Sequence, residues 1–376
     1  MKSEPPAPGP QMLHYFLGSN TPQGFVSRFD QLIPTHSDGW RCFIIKGGPG
    51  SGKSTLMRKV AAYLQSQGHS LEIIHCSSDV DSLDGVICPA LKLSIADGTA
   101  PHVLEPKYPG AVESLIDITA CWDTDDLFAH RAHIIALSQK VSRCHELCCR
   151  YLGAAAALSG DTYRLALDCL NHKKLTDYAT RLCEKELKPI KNRSEAQPGH
   201  EHIRVLSAVT NKGAFVFAEN LPHLCRRLYL LQDNDGAVSR VLLRRLRDYA
   251  LTAGHDIISC YCPLSPFEKL EYLFVPSLSL GFVTANRFHN FPAQASPYRI
   301  INSRRFTDLD KWRPHRQRVS FNHKAVKQMI TQAEALLAEA KTLHDQLEEP
   351  YIHATDFDKV NTLSEAVLAK IRRLEP

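Results

Sequence analysis

A glycine-rich stretch early in the chain most constrains how it can fold. Residues 43–45 are apolar, and residues 47–54 then fit the pattern G-x-x-x-x-G-K-[ST]. Glycines in such a loop let successive backbone N–H groups turn toward one anion, and the helix that follows adds the positive end of its dipole. The stretch therefore predicts a strand, a phosphate-binding loop and a helix.

The residue types in this loop predict binding of ATP with Mg²⁺. Lys53 is placed for the β- and γ-phosphates, and the Ser54 hydroxyl for the metal ion. The other expected phosphate-binding residues are Gly47, Gly48, Pro49, Gly50, Ser51, Gly52 and Thr55. The alternative is a glycine-rich turn that binds no ligand.

Composition predicts a cytoplasmic protein with two domains. The chain has 376 residues, of which 44% are hydrophobic and 23% charged. Residues 1–12 are proline-rich and predict a disordered tail rather than a signal peptide, and no apolar run is long enough to span a membrane. The net charge of +5 is slight; it permits contact with polyanions but does not argue for it, and a nucleic-acid partner is not expected. Its 12 cysteines are expected to be reduced thiols.

The order of apolar runs predicts an α/β fold with a mostly parallel sheet covered by helices. Strands are expected at 41–45, 71–76, 91–96 and near 115–118, and the loop helix at 53–67. Long helices are expected over about 124–187, with a break at Gly160 and Asp161. The polar stretch 189–201 predicts a linker between the two domains.

The second half of the sequence repeats the first at a shift of 186 residues, which brings Leu56 onto Leu242 and Cys76 onto Cys262. We therefore expect tandem P-loop NTPase-like domains packed as an intramolecular pseudo-dimer, each followed by a helical hairpin appendage. The first domain would be 13–188 with its appendage at about 124–187. The second would be 202–376 with its appendage at about 323–374.

The second copy has lost the loop pattern. Ser239 stands in the place of the lysine, and Asp233 and Asp235 put negative charge where phosphates would lie. Thr284 stands in the place of Asp97. We therefore expect the second copy to bind no nucleoside triphosphate and to serve as a structural or regulatory partner.

Polar residues at predicted strand ends supply the candidate catalytic groups beside Lys53. Asp97 is the candidate metal carboxylate, and Asp79 could activate water, hold metal or bind a substrate hydroxyl. Each could instead be an ordinary turn or cap residue. Further candidates for a base or substrate contact are His102, Glu105 and Glu113.

Two other clusters carry weaker signals. One cluster on a predicted helix contains Cys144, His145, Cys148 and Cys149. Its spacing does not match that of a zinc site, so we expect buried or inert thiols. A predicted basic helix carries Arg240, Arg244, Arg245 and Arg247 and could hold nucleic acid. Because no aromatic residues are interleaved on that face, a solvated face or a salt-bridged domain interface is the favoured interpretation. An arginine of the second copy, or Arg131, Arg143 or Arg150, could contact a γ-phosphate.

The motifs as a set resemble a family of uncharacterised tandem P-loop ATPases of Gram-positive bacteria. The matching stretches are 21–25, 46–55, 75–79, 97–103 and 106–111. The resemblance implies ATP and Mg²⁺ at Lys53, Ser54 and Asp97. The decayed second loop departs from family members that carry two loops.

The sequence thus predicts an ATP-binding protein that is a Mg²⁺-dependent ATPase with one working site. One alternative is a small-molecule or nucleotide kinase that uses the same loop, with Asp79 and His102 around an acceptor hydroxyl. The other is a nucleotide-dependent switch or scaffold with little turnover.

Overall fold

We describe the chain from a computed structural model. The residues that the structure describes are 10–33, 39–190, 198–288 and 296–375. Most of the predicted tail at 1–12 and the centre of the predicted linker at 189–201 lie outside these residues.

In the first half of the chain, four strands precede the first helix, four more strands follow it, and three helices end it. The elements are β1 (Met12–Phe16), β2 (Gly18–Thr21), β3 (Gly24–Ser27), β4 (Arg41–Lys46), α1 (Lys53–Ser66), β5 (Leu71–His75), β6 (Leu83–Cys88), β7 (Leu93–Asp97), β8 (Glu113–Asp117), α2 (Thr124–Ala129), α3 (Arg131–Asp168) and α4 (His172–Glu186).

The second half repeats this succession with an added short helix before its main strand. The elements are β9 (Glu201–Arg204), β10 (Ser207–Thr210), β11 (Gly213–Val216), α5 (Leu221–Leu224), β12 (Arg227–Gln232), α6 (Ala237–Thr252), β13 (Ile257–Cys262), β14 (Ser265–Val275), β15 (Leu280–Ala285), β16 (Arg299–Asn302), α7 (Leu309–Trp312), α8 (Arg316–His353) and α9 (Phe357–Arg372).

Two six-stranded sheets share one topology. The first has the order β1-β5-β6-β7-β4-β8, and the second β9-β13-β14-β15-β12-β16. In each sheet the third strand, β6 or β14, runs antiparallel to both neighbours, whereas the other pairs are parallel. The α/β class with mostly parallel strands is therefore confirmed, and the matching topology fits a duplicated domain. The sequence did not predict β6 because Asp84 and Gly85 interrupt its apolar run.

The chain divides into two compact units whose membership differs from the predicted domains. The first unit comprises the described residues of Met1–Gly18, Phe29–His145 and Leu337–Pro376. The second comprises the described residues of Ser19–Arg28 and Glu146–Leu336. Most of the appendage predicted for the first domain thus belongs with the second sheet. The C-terminal part of the other appendage belongs with the first sheet.

Helix α9 completes the core of the first unit, and α4 completes that of the second. Val360, Val367, Leu368 and Ile371 of α9 are buried with residues of α1 and the first sheet. Leu175, Ala179, Leu182 and Cys183 of α4 are buried with residues of α6 and the second sheet. Both helices are amphipathic, so a sheet face covers the apolar stripe of each. Apolar periodicity predicts this stripe but not which sheet covers it.

Helix α3 runs without interruption through Gly160 and Asp161, so the predicted break there is wrong. The Asp161 carboxylate accepts hydrogen bonds from Arg318 and Asn322, both in the second unit. These bonds and the surrounding packing offset the cost of about 1 kcal/mol for a glycine inside a helix. Among the described residues, no helix is long and apolar enough to cross a membrane.

Candidate functional site

The backbone of the first loop, residues 47–52, is shaped as its glycines predict. Strand β4 ends at Lys46 and α1 begins at Lys53, so the loop joins a central strand directly to a helix. Gly50 and Gly52 have φ angles of 65° and 90°, in the left-handed region that favours glycine. The loop therefore presents backbone N–H groups at the start of α1, where the helix dipole favours an anion.

Lys53 links this loop to the end of the neighbouring parallel strand. Its Nζ donates to the carbonyl oxygens of Gly47 and Gly48, at 2.9 and 2.6 Å. Its Nζ also lies 3.6 Å from Asp97 Oδ2, at the end of β7. The structure thus brings Lys53 and Asp97 together, because β4 and β7 are adjacent and parallel.

The remaining loop residues surround these two groups. Ser54 Oγ accepts a hydrogen bond from the Leu83 N–H at 3.0 Å, and Ser51 Oγ donates to the Gly48 carbonyl at 2.8 Å. Asp97 Oδ1 accepts a hydrogen bond from the backbone N–H of Thr99 at 2.8 Å. Asp97 therefore also stabilises the turn after β7, which was the alternative interpretation of this residue. Thr55 is exposed on the first turn of α1.

A buried carboxylate–imidazole pair lies beside Asp97. Gly85 of β6 pairs with Ala96 of β7, which places Asp84 next to Asp97 across the two strands. Asp84 Oδ2 is 3.0 Å from His102 Nε2, and both side chains are buried. Burial disfavours the imidazolium, but the Asp84 carboxylate outweighs it, so the pKa of His102 is raised above its ordinary 6.5. The sequence named His102 but missed Asp84, because β6 was not predicted.

The other strand-end candidates have different surroundings. Asp79 Oδ1 accepts from the Asp81 N–H at 3.2 Å, and Asp79 Oδ2 lies 3.4 Å from Nζ of Lys341 in α8. Glu105 contacts Lys46 at 2.6 Å and is largely exposed. Glu113 begins β8, at the opposite end of that strand from the loop edge, so the interpretation of Glu113 as a site residue is wrong.

The end of α8 lies against the first loop. A Cβ atom on Gly48 would lie 2.7 Å from Tyr351 Cε1, and one on Gly50 would lie 2.8 Å from Ile352 Cγ1. The Tyr351 ring also packs against Trp122, with centroids 5.5 Å apart. Two turns before Tyr351, burial lowers the pKa of His344; the Glu348 charge opposes this effect, and the Lys341 and Lys53 charges add to it. Sequence reasoning missed these α8 residues because it paired α8 with the other sheet.

The second loop, residues 233–236, contains its own anion. The N–H groups of Asp235 and Gly236 donate to Asp233 Oδ1 at 3.3 and 3.0 Å, and the Ser239 N–H donates to Oδ2 at 2.7 Å. Asp233 is 2% exposed. Four residues separate β12 from α6, whereas six separate β4 from α1. The second loop is therefore shorter, and it closes around the Asp233 carboxylate.

A lysine from another strand lies beside this second loop. Lys269 Nζ is 2.7 Å from Glu271 Oε2, and Glu271 occupies in β14 the position of Asp84 in β6. The Nζ atom would lie 4.0 Å from a Cβ on Gly236. The second copy thus keeps a lysine and a carboxylate near its loop, but both come from β14.

Burial characterises the cysteine cluster, and local contacts engage arginines of the basic helix. Burial raises the pKa of Cys144 and raises that of Cys148 to about 12, as in inert thiols. Within the second unit, Arg240 stacks over the Tyr163 ring and Arg247 forms an ion pair with Glu201, so the basic helix is salt-bridged there. Arg131 stacks over Phe128.

Comparison with known proteins gives one short match. The family described as Nephrocystin 3, N-terminal, matches residues 27–91, about a sixth of the chain, which include the first loop, α1 and β5. No curated protein and no solved structure gives a significant match. The match does not extend to the tandem family of Gram-positive bacteria that the motifs resemble, so that resemblance stays a prediction.

Proposed function

We propose that the first unit binds ATP at the first loop and hydrolyses it. The observation that carries the proposal is the position of Lys53, between two loop carbonyls and the Asp97 carboxylate. A lysine held in this way can donate to the oxygens of a phosphate that the loop N–H groups bind. The decayed second loop, whose anion position Asp233 occupies, supports a single working site.

The donor set near Lys53 fits a magnesium ion. Ser54 Oγ and the carboxylate of Asp97 are hard oxygen ligands of the kind that Mg²⁺ prefers, and the Asp84 carboxylate is adjacent. When bound, the ion would neutralise charge on the phosphate oxygens. We therefore propose Ser54 and Asp97 as its ligands.

The buried Asp84–His102 pair favours a second candidate, transfer of the phosphoryl group to a hydroxyl. Asp84 holds the imidazole in place, and such a pair can orient a proton acceptor beside the phosphate site. The same pair would serve a water molecule in hydrolysis. Asp79 has a smaller role in either reaction, because Lys341 engages its carboxylate.

Substitution of Lys53 tests the central proposal. Lys53→Ala should weaken ATP binding by on the order of 100-fold, since it removes charge-assisted contacts to phosphate. The control is Lys59→Ala on the same helix, whose ammonium contacts Asn361 instead. Calorimetric titration with ATP and Mg²⁺ measures both variants. Equal ATP affinity in the wild type and Lys53→Ala would refute the assignment.

Steady-state phosphate release separates hydrolysis from its alternatives. Release without an added acceptor supports the ATPase, and phosphorylation of an added hydroxyl compound supports the kinase. Tight ATP binding with neither reaction supports a nucleotide-dependent switch. Contact of α8 with the first loop offers the switch a physical basis, since a shift of Gly48 or Gly50 on nucleotide binding would be felt by Tyr351 and Ile352.

A further inference from the structure

A cavity lies in the second unit, at the carboxyl ends of its parallel strands. Its volume is about 440 Å³, within the range of small-molecule sites. Residues at the ends of β12, β15 and β16 form its floor, among them Gln232, Asn286 and Asn302. This edge of the sheet corresponds by topology to the edge that carries the first loop.

The loop at this edge does not offer its N–H groups to a ligand. Asp233 accepts hydrogen bonds from the N–H groups of Asp235 and Gly236 and from that of Ser239 in α6, and it is almost fully buried. A ligand of this cavity must therefore be recognised by other groups.

The cavity wall is strongly cationic. Arg287, Arg304 and Arg316 line it, and within the described ranges no carboxylate lies within ion-pair distance of their guanidinium groups. An adjoining cavity of about 490 Å³ shares Arg287 and adds Lys324 and Lys327. The two cavities are thus lined by five cationic side chains against the two carboxylates of Asp235 and Glu334, and this excess of positive charge favours a bound anion.

Asp235 is the carboxylate among the described residues that line the first cavity. Burial, together with the Asp233 charge, raises the pKa of Asp235 to about 6, so its negative charge is disfavoured where it lies. Above that pH it is ionised and offsets one of the three arginine charges, which leaves the wall with a net positive charge. Trp312 and Val319 add an apolar wall.

We propose that this cavity is a binding site for a small organic anion that carries phosphate or carboxylate groups. Arg287 and Arg304 hold the anionic group, because planar guanidinium forks match both oxyanions. Arg316, on the first turn of α8, adds a third charge. The site is separate from the first loop and does not depend on its function.

Calorimetric titration of the full chain tests the proposal. The probes are pyrophosphate and citrate, which distinguish a phosphate ligand from a carboxylate ligand. All titrations use the Lys53→Ala background, so that the first loop contributes least. The variant Arg287→Ala/Arg304→Ala is compared with Arg181→Ala/Arg244→Ala, which removes the same charge from exposed positions on α4 and α6.

We expect saturable binding of at least one probe, weakened tenfold or more by Arg287→Ala/Arg304→Ala and unchanged in the control. Should the double variant lose its fold, Arg316→Glu at an exposed position gives the same test and should also weaken binding tenfold. Equal loss in both double variants, unchanged affinity in all of them, or no saturable binding at millimolar concentrations would overturn the proposal.

Discussion

At residue 233 the second copy carries a carboxylate that its own loop binds. Asp233 takes the position that a phosphate group would occupy in a working loop, because three N–H groups converge on its two oxygens. The sequence predicted that Asp233 would repel phosphate. Its hydrogen bonds give it a stabilising role as well, which the sequence did not reveal.

Asp233→Ala should therefore destabilise the second unit by about 3 kcal/mol, since three buried donors lose a charged acceptor. The control is Asp308→Ala, which removes an exposed helix cap and should cost about 1 kcal/mol. Urea unfolding measures both. An Asp233→Ala variant as stable as the wild type would show that these hydrogen bonds contribute nothing.

The raised pKa of Asp235 predicts that the protein loses stability as the pH rises. The carboxylate of an ordinary ion pair, whose pKa is lowered, has the opposite effect. Burial and Asp233 raise its pKa from 3.8 to about 6, whereas Arg287 and Arg304 oppose this shift and His323 lies 3.5 Å away. A carboxyl with a raised folded-state pKa stabilises the fold while it is protonated. Its contribution is full below pH 3.8 and is lost as the pH rises through about 6.

Asp235→Asn should remove this loss. Two pKa units correspond to about 3 kcal/mol, and partial exposure reduces the expected gain in unfolding free energy at pH 7 to about 2 kcal/mol. The gain should shrink toward zero near pH 4, because the wild-type carboxyl is then protonated too. Urea unfolding across this pH range checks the sign, and a gain that does not vary with pH would contradict it.

Individual site residues were predictable only where a local motif carries them. Lys53 and Ser54 follow from the loop pattern, and Asp97 from its place at the end of an apolar strand. Asp84 was not predictable, because its role depends on β6 running antiparallel beside β7. Tyr351 lies about 300 residues from Gly48 in sequence, and no spacing rule connects the two.

At the scale of elements, the contact between α8 and the first loop is the feature most open to test. Gly48→Ala would place a methyl group 2.7 Å from Tyr351 Cε1 and 3.1 Å from Trp122 Cζ2. We expect a loss of about 1–3 kcal/mol in stability, as for overpacking of a close contact.

Tyr351→Ala should remove part of that loss, so the two substitutions should couple by about 1 kcal/mol in a double-mutant cycle. Thermal unfolding of the four proteins measures the coupling. Gly153→Ala is the matched control, because that helical glycine has no atom within 4 Å of its added Cβ and should gain stability. Additive effects of Gly48→Ala and Tyr351→Ala would contradict the contact.

The elements themselves were largely predictable, because strands and helices in this chain follow their apolar periodicity. Strands β4, β5 and β8 and helix α1 lie close to the expected residues. The break expected at Gly160 failed because tertiary hydrogen bonds to Asp161 and packing outweigh the weak preference of one glycine.

At the scale of the whole molecule, each sheet is completed by a helix from the other half of the sequence. Leu368 of α9 lies in the first core and Leu175 of α4 in the second. The repeat in the sequence predicts two similar units. Which helix joins which sheet depends on the sheet face that covers the apolar stripe of that helix. Periodicity alone does not contain that information.

Paired substitutions test this exchange. Leu368→Ala should cost about 2–5 kcal/mol and lower hydrogen-exchange protection in β4 and β7. Leu175→Ala should cost a similar amount and lower protection in β12 and β15 instead. Each variant is the control for the other. Loss of protection in β4 after Leu175→Ala would contradict the exchange, because it would show that α4 packs on the sheet of its own half of the sequence.

The exchange of helices also sets the order in which the protein can mature during synthesis. All segments of the second unit have been made once residue 336 is added, whereas the first core still lacks its α9 residues. At ordinary elongation rates α9 follows β8 by on the order of tens of seconds. The sheet that the ribosome makes first is therefore covered last, after every segment of the second unit has been made.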